Sequence, residues 1–310
     1  MKLFSIKNNE VTKHIEYRIF GIKISRRNRI SEIKAENEYL IDIINSIGAD
    51  KIPVAKGELK EWQLECLDLM RTLDKICREN DIPYWLDFGT LLGAVRHKGF
   101  IPWDDDIDIS MKKSDIDRLL PILKDYFKDS KYLVRERAIT CNKYQIRIMN
   151  KQYNVGLDIF QVYTYPKSDL TTELCNKINQ DIVKARKIFE NKYRVKTMTK
   201  EEVIKSVNDI SNIQKQFILP TKSENTQTPI LFHGIDYHYD EKYLVMPYSE
   251  IFPLKEIEFE GYKFYVPNKY KEYLSHLWDN WQNIPNSIGT QEHFFKNYKN
   301  SNYSYKEGEN

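Results

Sequence analysis

Two aspartates that could bind a metal are spaced two residues apart at Asp106 and Asp108, where acidic and apolar residues alternate up to Met111. This alternation is typical of a strand with one apolar face, and it places both carboxylates on the other face. Neighbouring carboxylates repel each other unless a cation lies between them, and hard divalent cations prefer oxygen ligands. The pattern therefore predicts a Mg²⁺ or Mn²⁺ site of the kind used in phosphoryl transfer.

A third carboxylate, Asp158, lies between apolar residues in a second predicted strand. If this strand lies beside the first, the three carboxylates converge, and such a group can bind a metal and accept a proton from an attacking hydroxyl. We therefore predict Asp106, Asp108 and Asp158 as catalytic and metal-binding residues. A capping role for Asp158 at a strand end is an equal alternative.

Phosphate-binding groups are predicted on both sides of these carboxylates. Gly89 and Thr90 follow a predicted strand and precede a helix, where backbone N–H groups and a hydroxyl can bind an anion. Arg96 and Lys98 lie in a basic loop that could bind a diphosphate, and a solvated turn is the alternative. Arg147 lies on a further predicted strand and could neutralise phosphate or orient an aspartate.

Four further residues are predicted as supporting or stacking groups. Asp104 and Asp105 lack the alternation with apolar residues and fit a solvated loop, so we predict that they only assist the metal ligands. Gln145 shares a strand face with the arginine two residues later. Trp103 could stack on a base or a quaternary ammonium, as could Trp85, and a core position is the alternative for both.

The elements that must position these residues alternate between helix and strand, which predicts an α+β (mixed α/β) fold. Apolar residues with helical or strand periodicity and turn residues define the elements. Helices are predicted at 58–80, 91–95, 114–127, 170–216 and 268–281, and strands at 83–87, 106–111, 132–135, 144–149 and 155–162, followed by a hairpin at 255–266 that turns at Glu260-Gly261.

Five segments follow from changes in composition along the chain. They are a basic N-terminal appendage (1–56), a catalytic core (57–165), a helical insert with a loop (166–229), a C-terminal hairpin and helix (230–285) and a polar tail (286–310).

The segments at 85–110, 145–147, 157–160 and 252–264 resemble the LicD family, which includes bacterial phosphorylcholine transferases and is related to fukutin and fukutin-related protein. The resemblance spans residues 59–285. It implies the fold of the polymerase-β-like nucleotidyltransferases, a small mixed sheet flanked by helices.

In that pattern Gly89-Thr90 corresponds to the glycine–serine/threonine turn, Asp106 and Asp108 to the paired carboxylates and Asp158 to the third. The resemblance implies that phosphocholine, or a similar phospho-alcohol, is transferred from a CDP-linked donor. The acceptor would be a sugar hydroxyl of a cell-surface glycan or of its lipid-linked precursor.

Composition sets the remaining expectations. The chain of 310 residues has 48 basic and 45 acidic residues, a formal net charge of +3, which is too small to attract nucleic acid over the whole molecule. Four cysteines without close pairs predict free thiols in a reducing cytoplasm. The basic segment 13–29 could lie on the anionic inner face of a membrane, and a solvated hairpin is the alternative.

Three other interpretations compete with the transferase. A nucleotide-sugar glycosyltransferase could use the Asp-x-Asp metal site, but it would give Gly89-Thr90 and Asp158 no role. A non-catalytic glycan- or nucleotide-binding relative would keep the fold alone. His233 and His238, with Asp236 between them, could suggest zinc, but their spacing matches no common zinc motif, so a surface loop is predicted.

Overall fold

The computed structural model describes residues 4–9, 14–19, 22–27, 39–140, 143–152, 155–166, 170–192, 201, 205, 209, 212–213, 229–233 and 245–284. The chain divides into two compact units, one of Met1–Ile52 with Gln282–Ile288 and one of Pro53–Trp281 with Gly289–Asn310. The five segments inferred from composition stay a prediction.

The first unit contains a three-stranded antiparallel sheet and a short helix. Its strands are β1 (Phe4–Asn9), β2 (His14–Ile19) and β3 (Ile22–Arg27), in that order. Helix α1 covers residues 39–47, and the 3-10 turn Ala49–Lys51 follows it. The Asn45 side chain donates to the Ile284 carbonyl oxygen at 3.1 Å and accepts from the Ile284 N–H at 2.7 Å, which fastens α1 to the returning chain.

The second unit contains the remaining elements, which alternate between helix and strand. In chain order they are α2 (Glu58–Glu79), β4 (Trp85–Leu86), α3 (Phe88–His97), β5 (Ile107–Lys112), α4 (Lys113–Phe127), β6 (Tyr132–Thr140), β7 (Lys143–Asn150), β8 (Gly156–Tyr165), α5 (Thr172–Lys192), β9 (Ile230–His233), β10 (Val245–Pro247), α6 (Tyr248–Ile251), β11 (Lys255–Phe259), β12 (Tyr262–Val266) and α7 (Tyr270–Leu277).

A seven-stranded mixed sheet forms the centre of this unit. Strand β8 pairs in parallel with β5 along one edge. Its other edge pairs with β7 in the first half and with β9 in the second half, both antiparallel. Strands β4, β6 and β10 extend the sheet beside β5, β7 and β9 respectively. The α+β class with a mixed sheet flanked by helices is therefore confirmed.

The two faces of β5 and β8 have different chemistry. Ile107, Ile109, Leu157 and Ile159 are buried in the core, because successive residues of a strand point to opposite faces. The opposite face carries Asp108, Ser110 and Asp158. On that face Phe88 of α3 packs edge-on against Phe160, with ring centroids 4.7 Å apart, so α3 covers the polar face.

The hairpin β11–β12 follows its local sequence closely. Glu260 and Gly261 form the turn, with φ angles of 48° and 80°, the left-handed conformations that a two-residue hairpin turn requires. The tip is fixed by three contacts: the Glu260 N–H donates to the Lys98 carbonyl at 2.8 Å, and its carboxylate accepts from Lys60 at 2.8 Å and from the Phe100 N–H at 3.3 Å. The predicted hairpin at 255–266 is confirmed.

Some predicted element boundaries were wrong. Helix α3 already begins at Phe88, because the Asp87 carboxylate accepts a hydrogen bond from the Phe88 N–H at 2.7 Å and caps the helix. Gly89 and Thr90 therefore lie in the first helical turn. Helix α4 begins at Lys113 and continues through Pro121. Of the predicted helix at 170–216, the structure describes a continuous helix only over α5.

Candidate active site

Strand pairing brings the three predicted carboxylates together. Asp108 and Asp158 are register partners of the parallel strands β5 and β8, and Asp106 directly precedes β5. One carboxylate oxygen from each of the three lies within 4.8 Å of the others. The convergence expected if the two strands are neighbours is therefore present, and Asp158 lies inside its strand rather than at a cap.

The electrostatics of this group favour a bound cation. Burial raises the pKa of Asp108 well above its usual range, and the charges of Asp106, Asp158 and Asp104 raise it further. A divalent ion would remove this repulsion, and carboxylate oxygens are the ligands that Mg²⁺ and Mn²⁺ prefer. The donor set therefore fits the predicted metal, which would be held by Asp106, Asp108 and Asp158.

The acidic loop, residues 104–106, is more ordered than a solvated loop. Asp105 is buried, and Asp104, Asp105 and Asp106 form a second group of converging carboxylates. Helix α2 holds the backbone of this loop through two contacts. The Gln63 amide donates to the Asp104 carbonyl oxygen at 2.9 Å, and the Cys66 thiol contacts the Asp105 carbonyl at 3.6 Å. The solvated-loop interpretation of Asp104 and Asp105 was wrong, and their supporting role stays a prediction.

Gly89 and Thr90 both contact the carboxylate segment. A Cβ atom added at Gly89 would lie 3.0 Å from an Asp104 carboxylate oxygen and 4.0 Å from one of Asp108, so glycine leaves room beside the carboxylates. The buried Thr90 hydroxyl accepts a hydrogen bond from the Asp108 N–H at 2.8 Å, and the Asp87 N–H donates to the Asp108 carbonyl at 3.0 Å. Thr90 thus holds the Asp108 backbone in place, and contact with phosphate stays a prediction for both residues.

The basic residues Arg96 and Lys98 lie at the other end of α3. Arg96 is about 10 Å along the helix axis from Gly89, at about 1.5 Å per residue. Its guanidinium donates to the Trp281 carbonyl oxygen at 2.9 Å and contacts His97 at 2.9 Å, and burial lowers its pKa to about 10. Lys98 ends the helix in the left-handed conformation, with φ 61°. These contacts stabilise the end of α3, and phosphate binding by Arg96 and Lys98 stays a prediction.

Arg147 lies beside the carboxylates, as its strand position requires. It is the register partner of Asp158, and its Nε lies 3.7 Å from an Asp158 carboxylate oxygen. Burial alone would lower the pKa of Arg147, but Asp158 and Asp106 outweigh that effect and raise it. Gln145 lies on the same strand, with its side chain outside the described residues. Arg147 therefore supplies a permanent positive charge to the site.

The tryptophans differ in exposure. Trp85 is fully buried and packs edge-on against Phe252, so it is a core residue and the stacking alternative was wrong. Trp103 is half-buried against the same core, and stacking on a ligand stays a prediction.

A buried polar network behind the site could not be recognised from the sequence. Besides capping α3, the Asp87 carboxylate accepts hydrogen bonds from the Ser110 hydroxyl at 2.5 Å and the Tyr273 hydroxyl at 2.9 Å. His233 contacts the same carboxylate at 3.8 Å. An aspartate directly before a helix is a recognisable N-cap signal, but its partners come from β5, α7 and β9, which only the tertiary fold brings together.

The same network corrects the prediction for His233. This residue lies fully buried in β9, not in a surface loop. Burial lowers its pKa to about 3, so the imidazole is neutral at physiological pH. His238 and Asp236 lie outside the described residues. Within the described part of the chain, the groups of carboxylate and imidazole ligands that could hold a metal are the two aspartate groups given above.

Residues 81–193 match the family model described as LicD/FKTN/FKRP, nucleotidyltransferase domain. The lipopolysaccharide cholinephosphotransferase LicD of Haemophilus influenzae is 46% identical over 67 residues, which cover 22% of this chain and 25% of that protein. An uncharacterised protein of Rickettsia prowazekii is 39% identical over 94 residues, covering 29% and 35% of the two chains. The ribitol 5-phosphate transferase FKRP of Mus musculus is 30% identical over 96 residues, covering 30% and 19%.

The aligned parts thus span between about a fifth and about a third of each relative's own length. The matched region contains α3, the acidic loop, β5, β8 and all three converging carboxylates. The predicted resemblance to the LicD family and the nucleotidyltransferase-like core are confirmed. Residues 81–193 of this chain are thus similar to the nucleotidyltransferase domain of the LicD family.

Proposed function

We propose that this protein is a metal-dependent transferase that moves a phospho-alcohol group from a CDP-linked donor to a hydroxyl group of a glycan or of its lipid-linked precursor. The observation that carries the proposal is the convergence of Asp106, Asp108 and Asp158 beside Arg147. The names of two relatives, a cholinephosphotransferase and a ribitol 5-phosphate transferase, support the same reaction class.

Each residue has a defined task in this reaction. Asp106, Asp108 and Asp158 would hold Mg²⁺ or Mn²⁺, which when bound supplies positive charge to the phosphoryl oxygens. Asp158 accepts the proton of the attacking hydroxyl, and Arg147 beside it favours the ionised carboxylate. Arg147 also offsets the negative charge that develops on the transferred phosphoryl group. Gly89 leaves space for the donor at the start of α3.

A donor panel tests the reaction class. Without a glycan acceptor, water can receive the phospho-alcohol group, so we expect slow Mg²⁺-dependent release of CMP from one of CDP-choline, CDP-glycerol or CDP-ribitol, and thermal stabilisation by the same compound. Asp106→Ala should abolish both, whereas Asp125→Asn, which changes an exposed aspartate of α4, should leave both unchanged. Turnover of UDP-glucose instead of every CDP-alcohol would support the glycosyltransferase alternative and contradict the proposal.

We also propose a cytoplasmic location with peripheral contact to the inner face of a membrane. None of the described helices combines the length and the apolar character needed to cross a membrane. Support for surface contact comes from the first unit, where α1 exposes a stripe of apolar side chains, namely Tyr39, Leu40, Ile43 and Ile47. Strands β2 and β3 of the same unit carry most of the basic residues of segment 13–29.

A further inference from the structure

A row of four charged residues crosses the central sheet from β5 to β6. Asp108 pairs with Asp158, Asp158 with Arg147, and Arg147 with Arg135. Directly paired residues of neighbouring strands lie on the same face of a sheet. The row therefore passes from two carboxylates to two arginines, and Arg135 lies two strand spacings, about 10 Å, from Asp158.

The neighbours of Arg135 show which face of β6 it occupies. Glu136, the next residue, forms an ion pair with Lys124 of α4, so α4 packs on the face opposite to Arg135. Arg135 is half-buried. Among the hydrogen bonds and ion pairs of the described part of the chain, none involves its guanidinium, and the Nε of Arg147 beside it is buried without a hydrogen-bond partner.

The charge of Arg135 is not required by the three carboxylates that would hold the metal. A divalent ion together with Arg147 would neutralise the three carboxylates Asp106, Asp108 and Asp158. The positive charge of Arg135 then lies at the end of the row, one strand beyond Arg147, and is not needed to balance these three carboxylates. Two adjacent arginines offer planar forks of N–H donors, which match the oxygens of a phosphate group.

We propose that Arg135 and Arg147 form a phosphate subsite beside the catalytic carboxylates. The inference rests on the proposed function, because it assigns this subsite to a second phosphate of the substrates in the same reaction. That phosphate belongs either to the nucleotide diphosphate of the donor or to an anionic acceptor. Arg135 thereby favours the binding of substrates that carry this second phosphate.

Calorimetric titration of the full chain in Mg²⁺ tests the subsite with three probes: CMP, CDP and inorganic phosphate added to the CMP-loaded protein. If the phosphate belongs to the donor, Arg135→Ala weakens the binding of CDP about 10- to 100-fold and leaves the binding of CMP nearly unchanged. If the phosphate belongs to the acceptor, the same variant leaves the affinity for CDP unchanged and weakens the binding of inorganic phosphate by the same factor. Arg135→Lys keeps the positive charge but removes the paired N–H donors of the guanidinium, so its loss of affinity should be intermediate.

Lys124→Ala is the matched control, because it removes a cation of α4 that pairs with Glu136 on the opposite face of β6. Thermal unfolding of each variant without ligand verifies that it is folded. The proposal is overturned if Arg135→Ala binds CDP and inorganic phosphate as tightly as the Lys124→Ala control. If neither CMP nor CDP binds but inorganic phosphate alone binds in an Arg135-dependent manner, the subsite stands and the CDP donor is excluded.

Discussion

Asp108 combines a functional advantage with a cost in stability. Burial and four neighbouring carboxylates raise its pKa, so its charge is unfavourable until a cation binds. Asp108→Asn should therefore reduce transferase activity at least about 10²-fold and remove the stabilisation by Mg²⁺. In metal-free buffer the same variant should melt higher than the parent, by about 2–4 °C for each kcal/mol of repulsion relieved.

Activity assays and thermal unfolding with EDTA or Mg²⁺ would measure both effects. Asp125→Asn is the control, because this aspartate of α4 is exposed and paired only with Lys128 among the described contacts. A metal-free Asp108→Asn variant that melts lower than the parent would contradict the repulsion argument, even if its activity were lost.

The pH dependence of metal binding follows from the same carboxylates. The pKa values of Asp104 and Asp108 are raised by burial and by neighbouring carboxylates, above all Asp106, so the metal-free site retains protons that Mg²⁺ must displace. Because the folded state binds more protons than the unfolded state, metal-free stability should fall as pH rises above the ordinary pKa of an aspartate, about 3.9, toward the raised pKa of these carboxylates. The increase in melting temperature caused by Mg²⁺ should grow over the same range.

Melting curves with EDTA and with Mg²⁺ at several pH values measure both trends. Above about pH 6.5 the buried His233, whose pKa is lowered, is neutral in both states and adds no opposing trend. A stabilisation by Mg²⁺ that is independent of pH would show that the carboxylates are already ionised without metal.

Elements whose signal is local could be predicted from the sequence, and their pairing could not. The hairpin at 255–266 follows from its turn residues, and helix α2 follows from the periodicity of its apolar residues. Both signals come from residues that are close together in the sequence. The position of Asp158 beside Asp108 was conditional on two strands being neighbours, which no local pattern determines. Arg135 was missed for the same reason, because only the pairing of β6 with β7 adds it to the charged row.

The Asp87 carboxylate connects three elements behind the site. It accepts hydrogen bonds from the Phe88 N–H, the Ser110 hydroxyl and the Tyr273 hydroxyl, which belong to α3, β5 and α7. Asp87→Asn would replace an acceptor oxygen with an N–H donor facing these donors. Leaving such buried groups unsatisfied costs about 1–3 kcal/mol each, so we expect a loss of free energy of unfolding of about that size or more.

Chemical denaturation measures this loss, and Tyr273→Phe is the comparison variant. It removes one donor and leaves Asp87 with the other two, so it should cost less, about 1 kcal/mol. If Asp87→Asn unfolded at the same denaturant concentration as the parent, the three hydrogen bonds would contribute little to the position of α3.

At the scale of the whole molecule, the net charge of +3 is small, but each unit contains a local cluster of charged residues. The acidic loop lies in the second unit, whereas β2 and β3 of the first unit pair Arg18 with Lys23 and His14 with Arg27. Together the two strands carry Arg18, Lys23, Arg26 and Arg27. Basic strands of this kind suit an anionic lipid surface, to which each cation contributes about 1 kcal/mol.

Co-sedimentation of the full chain with vesicles tests this surface. We expect binding to vesicles of phosphatidylglycerol and phosphatidylcholine, weaker binding at high salt because surface charges are screened, and little binding to phosphatidylcholine alone. The double substitution Lys23→Glu and Arg27→Glu should weaken binding more than about 10-fold, because it reverses two charges. Lys128→Glu reverses an exposed charge of the second unit and should have no effect. Equal weakening by both changes would mean that total charge, rather than the basic residues of β3, determines the binding.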